Sequence, residues 1–124
     1  MTISQISRIM LVDDSDDVLE PVGEYLRLKG YQITTARNGR DALEKLETDK
    51  YPLIITDINM PEMSGPELLD NMSRSRQSFK AVVISAYFEE GIKTELRKKG
   101  AYAFLQKPFS FGELETVIQE GLLQ

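Results

Sequence analysis

Four short apolar runs each stop abruptly at polar residues. Arg8-Ile9-Met10-Leu11-Val12 ends in Asp13-Asp14, and Leu53-Ile54-Ile55-Thr56 ends in Asp57. Ala81-Val82-Val83-Ile84 ends in Ser85, and Ala103-Phe104-Leu105-Gln106 ends in Lys107-Pro108. Short continuous apolar runs suit strands of a parallel sheet covered by helices on both faces. Open sheets of that kind bind ligands beyond the carboxyl ends of their strands. If the four runs are parallel strands of one sheet, three carboxylates, a hydroxyl and an ammonium gather along one edge.

The segments between these runs read as helices, with one further strand. Ser15 can cap a helix whose first turn holds Asp16 and Asp17, both favourable at the positive helix end. Val18, Val22 and Leu26 recur at helical spacing until Gly30. Pro21 conflicts with a regular helix interior, where proline costs about 3 kcal/mol, so the helix either kinks there or begins later. Tyr31 to Ala36 is rich in β-branched residues and reads as a strand. Asn38-Gly39 marks a turn, Ala42, Leu43 and Leu46 form the next helix face, and Tyr51-Pro52 breaks that helix. Ser64 to Glu67 and Ser110 to Glu113 both have the spacing of a capping box. Leu68, Leu69 and Met72 follow the first box, and Leu114, Val117 and Ile118 the second. Ile92 and Leu96 mark a helix closed by Lys98-Lys99-Gly100. Strand and helix thus alternate five times, and right-handed crossovers make this a doubly wound α/β sheet. Residues 1–6 are expected to be a frayed lead-in to a single domain spanning 1–124.

Composition narrows the chemistry. The chain has 124 residues, enough for one sizeable core, and is 41% hydrophobic and 28% charged, as folded soluble domains are. A net charge of −5 argues against holding nucleic acid by electrostatics alone. There is no cysteine, hence no disulfide, thiolate catalysis or cysteine-bound zinc. Histidine is also absent, which removes imidazole bases and most transition-metal sites. No apolar run approaches the ~18 residues of a membrane span and no signal peptide opens the chain, so the expected location is the cytoplasm. Three crowded carboxylates repel one another, and Lys107 alone does not balance them. A hard divalent ion such as Mg²⁺ suits their oxygens. The edge reads as a metal-assisted phosphoryl site with an aspartate acceptor.

Taken singly, each residue has a plainer explanation. Acidic pairs are commonly caps or solvated charge, Asp commonly ends strands, and Ser85 and Lys107 alone would pass for a strand-end hydroxyl and a surface cation. Met60, Met63 and Met72 read as gap-filling core. Lys93, Arg97, Lys98 and Lys99 read as a solvated helix face. The ordered set carries the argument. Asp13-Asp14, Asp57, Met60-Pro61-Glu62-Met63-Ser64-Gly65, Ser85-Ala86 and Lys107-Pro108-Phe109, each in its place, resemble the response-regulator receiver domain of two-component signalling, of the chemotaxis-regulator type.

That resemblance implies a flavodoxin-like fold: a five-stranded parallel sheet in order 2-1-3-4-5, flanked by five helices. It implies that Asp57 takes a phosphoryl group, with Mg²⁺, from a histidine kinase or a histidine phosphotransfer protein. Asp14 and Asp57 would ligate the ion directly, Asp13 mostly through water, and the backbone carbonyl of Asn59 would complete the protein ligands. Lys107 would contact the acceptor carboxylate and then a phosphoryl oxygen, with a cis Lys107-Pro108 bond. Ser85 would bond another phosphoryl oxygen. Phe104, three residues before Lys107, would be a switch ring, or else a permanently buried core residue. Its turning would alter the surface of the fourth helix, fifth strand and fifth helix, read by an effector. Such a chain is an acceptor rather than an enzyme, with no direct nucleic-acid or membrane partner. Two competitors stand beside it. A phosphatase with an aspartyl nucleophile usually carries a second acid two residues on, where this chain has Asn59. A pseudo-receiver that only binds proteins would not need all five site residues.

Overall fold

The computed structural model describes residues 7–75 and 78–122. The expected lead-in at 1–6 lies outside the described residues. Strands and helices alternate: β1 (Arg8–Val12), α1 (Asp16–Leu28), β2 (Gln32–Ala36), α2 (Gly39–Thr48), β3 (Leu53–Asp57), α3 (Gly65–Arg74), β4 (Lys80–Ser85), α4 (Ile92–Lys98), β5 (Ala101–Gln106) and α5 (Phe111–Leu122). The five strands are parallel, in order β2-β1-β3-β4-β5.

The central strands β1, β3 and β4 each carry a continuous apolar run because their side chains alternate between two cores. Ile9, Leu11, Leu53 and Ile55 pack with Leu19, Val22 and Leu26 of α1 and Leu114 and Ile118 of α5. Met10, Val12 and Ile54, one residue out of step, pack with residues of α2, α3 and α4 such as Leu46, Leu69 and Leu96. Fully burying one such side chain is worth about 1.5–3 kcal/mol, so a one-residue slip in register would displace many of these contributions at once. Met60 and Met72 belong to the second core and Met63 packs against it, as gap-fillers should.

Both capping boxes form. Ser64 accepts from the Glu67 amide while Glu67 accepts from the Ser64 amide, and Ser110 and Glu113 do the same at the start of α5. Other local expectations shift. Ser15 occupies the N-cap position of α1, but its hydroxyl makes no capping bond. Its backbone N–H instead donates to Asp13 Oδ1 at 3.0 Å, a turn closed by the aspartate two residues earlier. The helix begins at Asp16 and continues through Pro21. Proline cannot donate to the Asp17 carbonyl, and both residues are exposed, so water can serve that group. Tyr31 falls just outside β2, its N–H closing the end of α1 onto the Leu26 carbonyl. Asn38 is a helix cap, accepting from the Asp41 amide at 2.7 Å, rather than part of a free turn. No helix among the described residues is long and apolar enough to cross a membrane.

Candidate functional site

Strand register assembles the site. Val12 pairs with Thr56, so the next residues, Asp13 and Asp57, emerge side by side. Asp57 pairs with Ile84, which brings Ser85 alongside, and Ser85 pairs with Gln106, which delivers Lys107. The strand order reverses between β1 and β3, the place where sheets of this kind form their crevice.

Carboxylate oxygens of Asp13, Asp14 and Asp57 all lie within 4.8 Å of one another. Asp13 is fully buried and Asp57 nearly so, whereas Asp14 is exposed. The ammonium of Lys107 is 3.1 Å from Asp13 Oδ2 and 3.8 Å from Asp57 Oδ2. The expected contact with the acceptor carboxylate is therefore the longer of the two. A carboxylate without access to water needs a charged partner most, and Asp13 is the more deeply buried. Asp13 also accepts the Ser15 N–H, so both of its oxygens are engaged within the protein.

Asp57 Oδ1 accepts the Ile58 N–H at 2.9 Å, which orients the carboxylate. Burial and the neighbouring Asp13 charge raise its pKa above the ordinary carboxylate value, against the opposing pull of Lys107 and of the Ile58 and Asn59 amides. Burial first, and the Asp13 charge second, together outweigh these attractions, as in a site with too little positive charge to offset the loss of water. Hard oxygen donors in such surroundings fit a divalent ion such as Mg²⁺.

Ser85 is buried at the end of β4, yet its hydroxyl faces its own loop. It donates to the Tyr87 carbonyl at 2.7 Å and accepts the Tyr87 N–H at 3.1 Å. Asn59 and Ser85 both line a cavity of about 310 Å³ beside the site. The Lys107–Pro108 bond is cis. Phe104 is half-buried and meets Phe88 edge-on at 5.6 Å. The basic residues of α4 are more engaged than a solvated face requires. Lys93 and Arg97 lie over the Phe104 ring at 5.6 and 4.9 Å, and Lys99 pairs with Asp70 at 2.8 Å.

Two supports escaped sequence reasoning. A Cβ at Gly65 would stand 2.9 Å from both the Asp57 carbonyl oxygen and the Ile58 Cα, so α3 can approach the end of β3 only with glycine there. Glu62 has φ +69 and centres a three-residue turn closed by the Met63 N–H on the Pro61 carbonyl. That turn brings Met63 against Gly39, where an added Cβ would stand 2.6 Å from the Met63 sulfur and force the Met63 side chain to shift. The signal for Gly65 was its place after Ser64 in a capping box; nothing local marked Glu62.

A five-stranded 2-1-3-4-5 sheet with an acidic cluster and a lysine at its carboxyl edge defines a receiver-like α/β protein. Residues 9–119 match the family model of the response regulator receiver domain, and the chain belongs to that family. It is a receiver domain of two-component signalling. It is 34% identical over 97% of its length to regulatory protein AtoC of Escherichia coli, but spans only 26% of that protein. Its fold matches the chemotaxis protein CheY4 of Vibrio cholerae with a TM-score of 0.88 and 30% identity, covering 93% of this chain and 98% of CheY4. It also matches the response regulator TrrA of Thermotoga maritima, solved with Mg²⁺ and BeF, with a TM-score of 0.82 and 33% identity, covering 94% and 99%.

Proposed function

We propose that Asp57 accepts a phosphoryl group from a phosphohistidine donor, on a histidine kinase or a histidine phosphotransfer protein, in a Mg²⁺-dependent step. The observation that carries this reading is the convergence of three carboxylates within 4.8 Å beside a single lysine. The likeness to TrrA, crystallised with Mg²⁺ and BeF, supports it.

Asp14, Asp57 and the backbone carbonyl of Asn59 would hold the ion directly, with Asp13 acting mostly through water. When bound, Mg²⁺ offsets the negative charge of the acceptor and phosphoryl oxygens. The chain's own residues position the reaction. The Ile58 amide holds one Asp57 oxygen and leaves Oδ2 on the side of Lys107. An Asp57 oxygen attacks phosphorus, the P–N bond to the donor imidazole breaks, and the imidazole nitrogen keeps the electron pair. Lys107 then contacts one phosphoryl oxygen and Ser85 donates to another. The product is an acyl phosphate on the chain itself, so the chain acts as acceptor rather than as an enzyme on a separate substrate. The surface of α4, β5 and α5, which includes Phe104, carries the output to an effector.

Incubation with acetyl phosphate and Mg²⁺ tests this by intact-protein mass spectrometry. One added phosphoryl group is expected in the native chain and none in Asp57→Asn. A full-yield adduct in Asp57→Asn would sink the assignment.

A further inference from the structure

β2 forms one edge of the sheet. Its sequence is of a kind that recruits a further strand. Tyr31-Gln32-Ile33-Thr34-Thr35-Ala36 carries no charge, no proline and no glycine, and half of it is β-branched. An uncharged run of that composition is an association hazard wherever its backbone lies open.

Strand pairing shows which backbone groups face outward. The Gln32 amide donates to the Ser7 carbonyl at 3.0 Å, and the Ala36 carbonyl accepts the Asp13 amide at 3.1 Å. Gln32, Thr34 and Ala36 therefore face β1, and the alternate residues Ile33 and Thr35 turn both backbone groups outward. Both outward carbonyls are taken by cations, one from each face of the sheet. Arg27 of α1 donates to the Ile33 carbonyl at 3.1 Å. Lys45 of α2 donates to the Thr35 carbonyl at 2.5 Å and is paired with Asp41 at 3.3 Å. The outward amides flanking the strand are engaged as well. Tyr31 donates to the Leu26 carbonyl and Arg37 to the Asp41 carboxylate. The Ile33 and Thr35 amides have no protein partner among the described residues.

An added strand would lie about 4.8 Å from β2. The donor nitrogens of Arg27 and Lys45 stand inside that distance. An incoming strand must expel both charges and break the Asp41–Lys45 pair before it can donate to the same carbonyls.

We propose that Arg27 and Lys45 close the β2 edge against strand addition by a second copy of this chain. A second copy is the occupant excluded because two such edges, run antiparallel about a two-fold axis, are self-complementary. The proposal is independent of the chemistry at Asp57.

Substituting Arg27→Met and Lys45→Met together keeps the apolar stems and removes both donors. Sedimentation velocity of native and doubly substituted chains over rising concentration, with hydrogen–deuterium exchange read at single amides, tests the closure. The double variant should gain an associated species that the native chain lacks. Its Ile33 and Thr35 amides should exchange about ten-fold more slowly once associated. A folded double variant that sediments as the native chain does overturns the proposal. So does added association that leaves both amides exchanging as in the monomer, because another surface is then responsible. Adding Thr35→Pro removes an outward amide and no bond to β1, so it should return the variant to the native assembly state. Association that persists there overturns the role of β2. If loss of both cations prevents folding, Lys45→Met alone puts the same question to the Thr35 amide. In the native chain both amides should exchange at rates independent of concentration. Protection that grows with concentration overturns the closure directly, since the edge is then already an interface.

Discussion

Lys107 is bonded to Asp13 at 3.1 Å and stands off from Asp57 at 3.8 Å. The lysine thus neutralises the carboxylate that water cannot reach and leaves the acceptor carboxylate undercompensated. That division of charge shapes the first three predictions.

Lys107→Met should destabilise the chain when no divalent ion is present. It strands a fully buried Asp13 charge, and leaving such a group unsatisfied costs about 1–3 kcal/mol or more. Asp13→Asn in the same background should recover much of the loss. A urea-denaturation double-mutant cycle in chelator measures the coupling. Strictly additive single effects would show that the bond contributes nothing.

Asp57→Asn should stabilise the chain at neutral pH, and the gain should fade in acid. Burial, followed by Asp13, raises the Asp57 pKa, so the folded state holds this proton more tightly than the unfolded chain. The associated stability is fully present below the unfolded value of about 4 and is lost as pH rises through the raised folded value. Melting temperatures of native and Asp57→Asn chains across this range, without Mg²⁺, should diverge as pH increases. Parallel curves would contradict the assignment.

Mg²⁺ should raise the melting temperature of the native chain, by the equivalent of about 2.7 kcal/mol at a hundred times its Kd. Asp14→Asn and Asp57→Asn should abolish most of that rise. Asp13→Asn should weaken it less, because both Asp13 oxygens already have partners in the Ser15 amide and Lys107. A native melting temperature indifferent to Mg²⁺ would remove the metal from the proposal.

Gly65→Ala should cost about 1–3 kcal/mol through overpacking, since the added methyl meets backbone atoms that cannot rotate away. It should also slow acetyl phosphate labelling, because the Asp57 carbonyl and Ile58 are the atoms displaced. Denaturation together with labelling rate separates the two effects. A native labelling rate in a destabilised variant would make Gly65 a packing residue only.

Much of this was legible in the chain itself. Local signals are short-range, so the residues that carry them also report them. The capping boxes at Ser64 and Ser110, the glycines ending α1 and α4, and the unbroken apolar runs of β1, β3 and β4 specify element type, order and burial. The same runs announced Asp57, Ser85 and Lys107 as strand-end residues. What each side chain bonds to was decided only by the assembled fold. The Ser15 hydroxyl leaves α1 uncapped while its amide bonds to Asp13, Lys107 prefers Asp13 to Asp57, and Ser85 turns toward Tyr87. Each outcome is a competition among partners within a few ångströms, settled by burial and strand register. Those quantities exist only once β1, β3, β4 and β5 lie side by side.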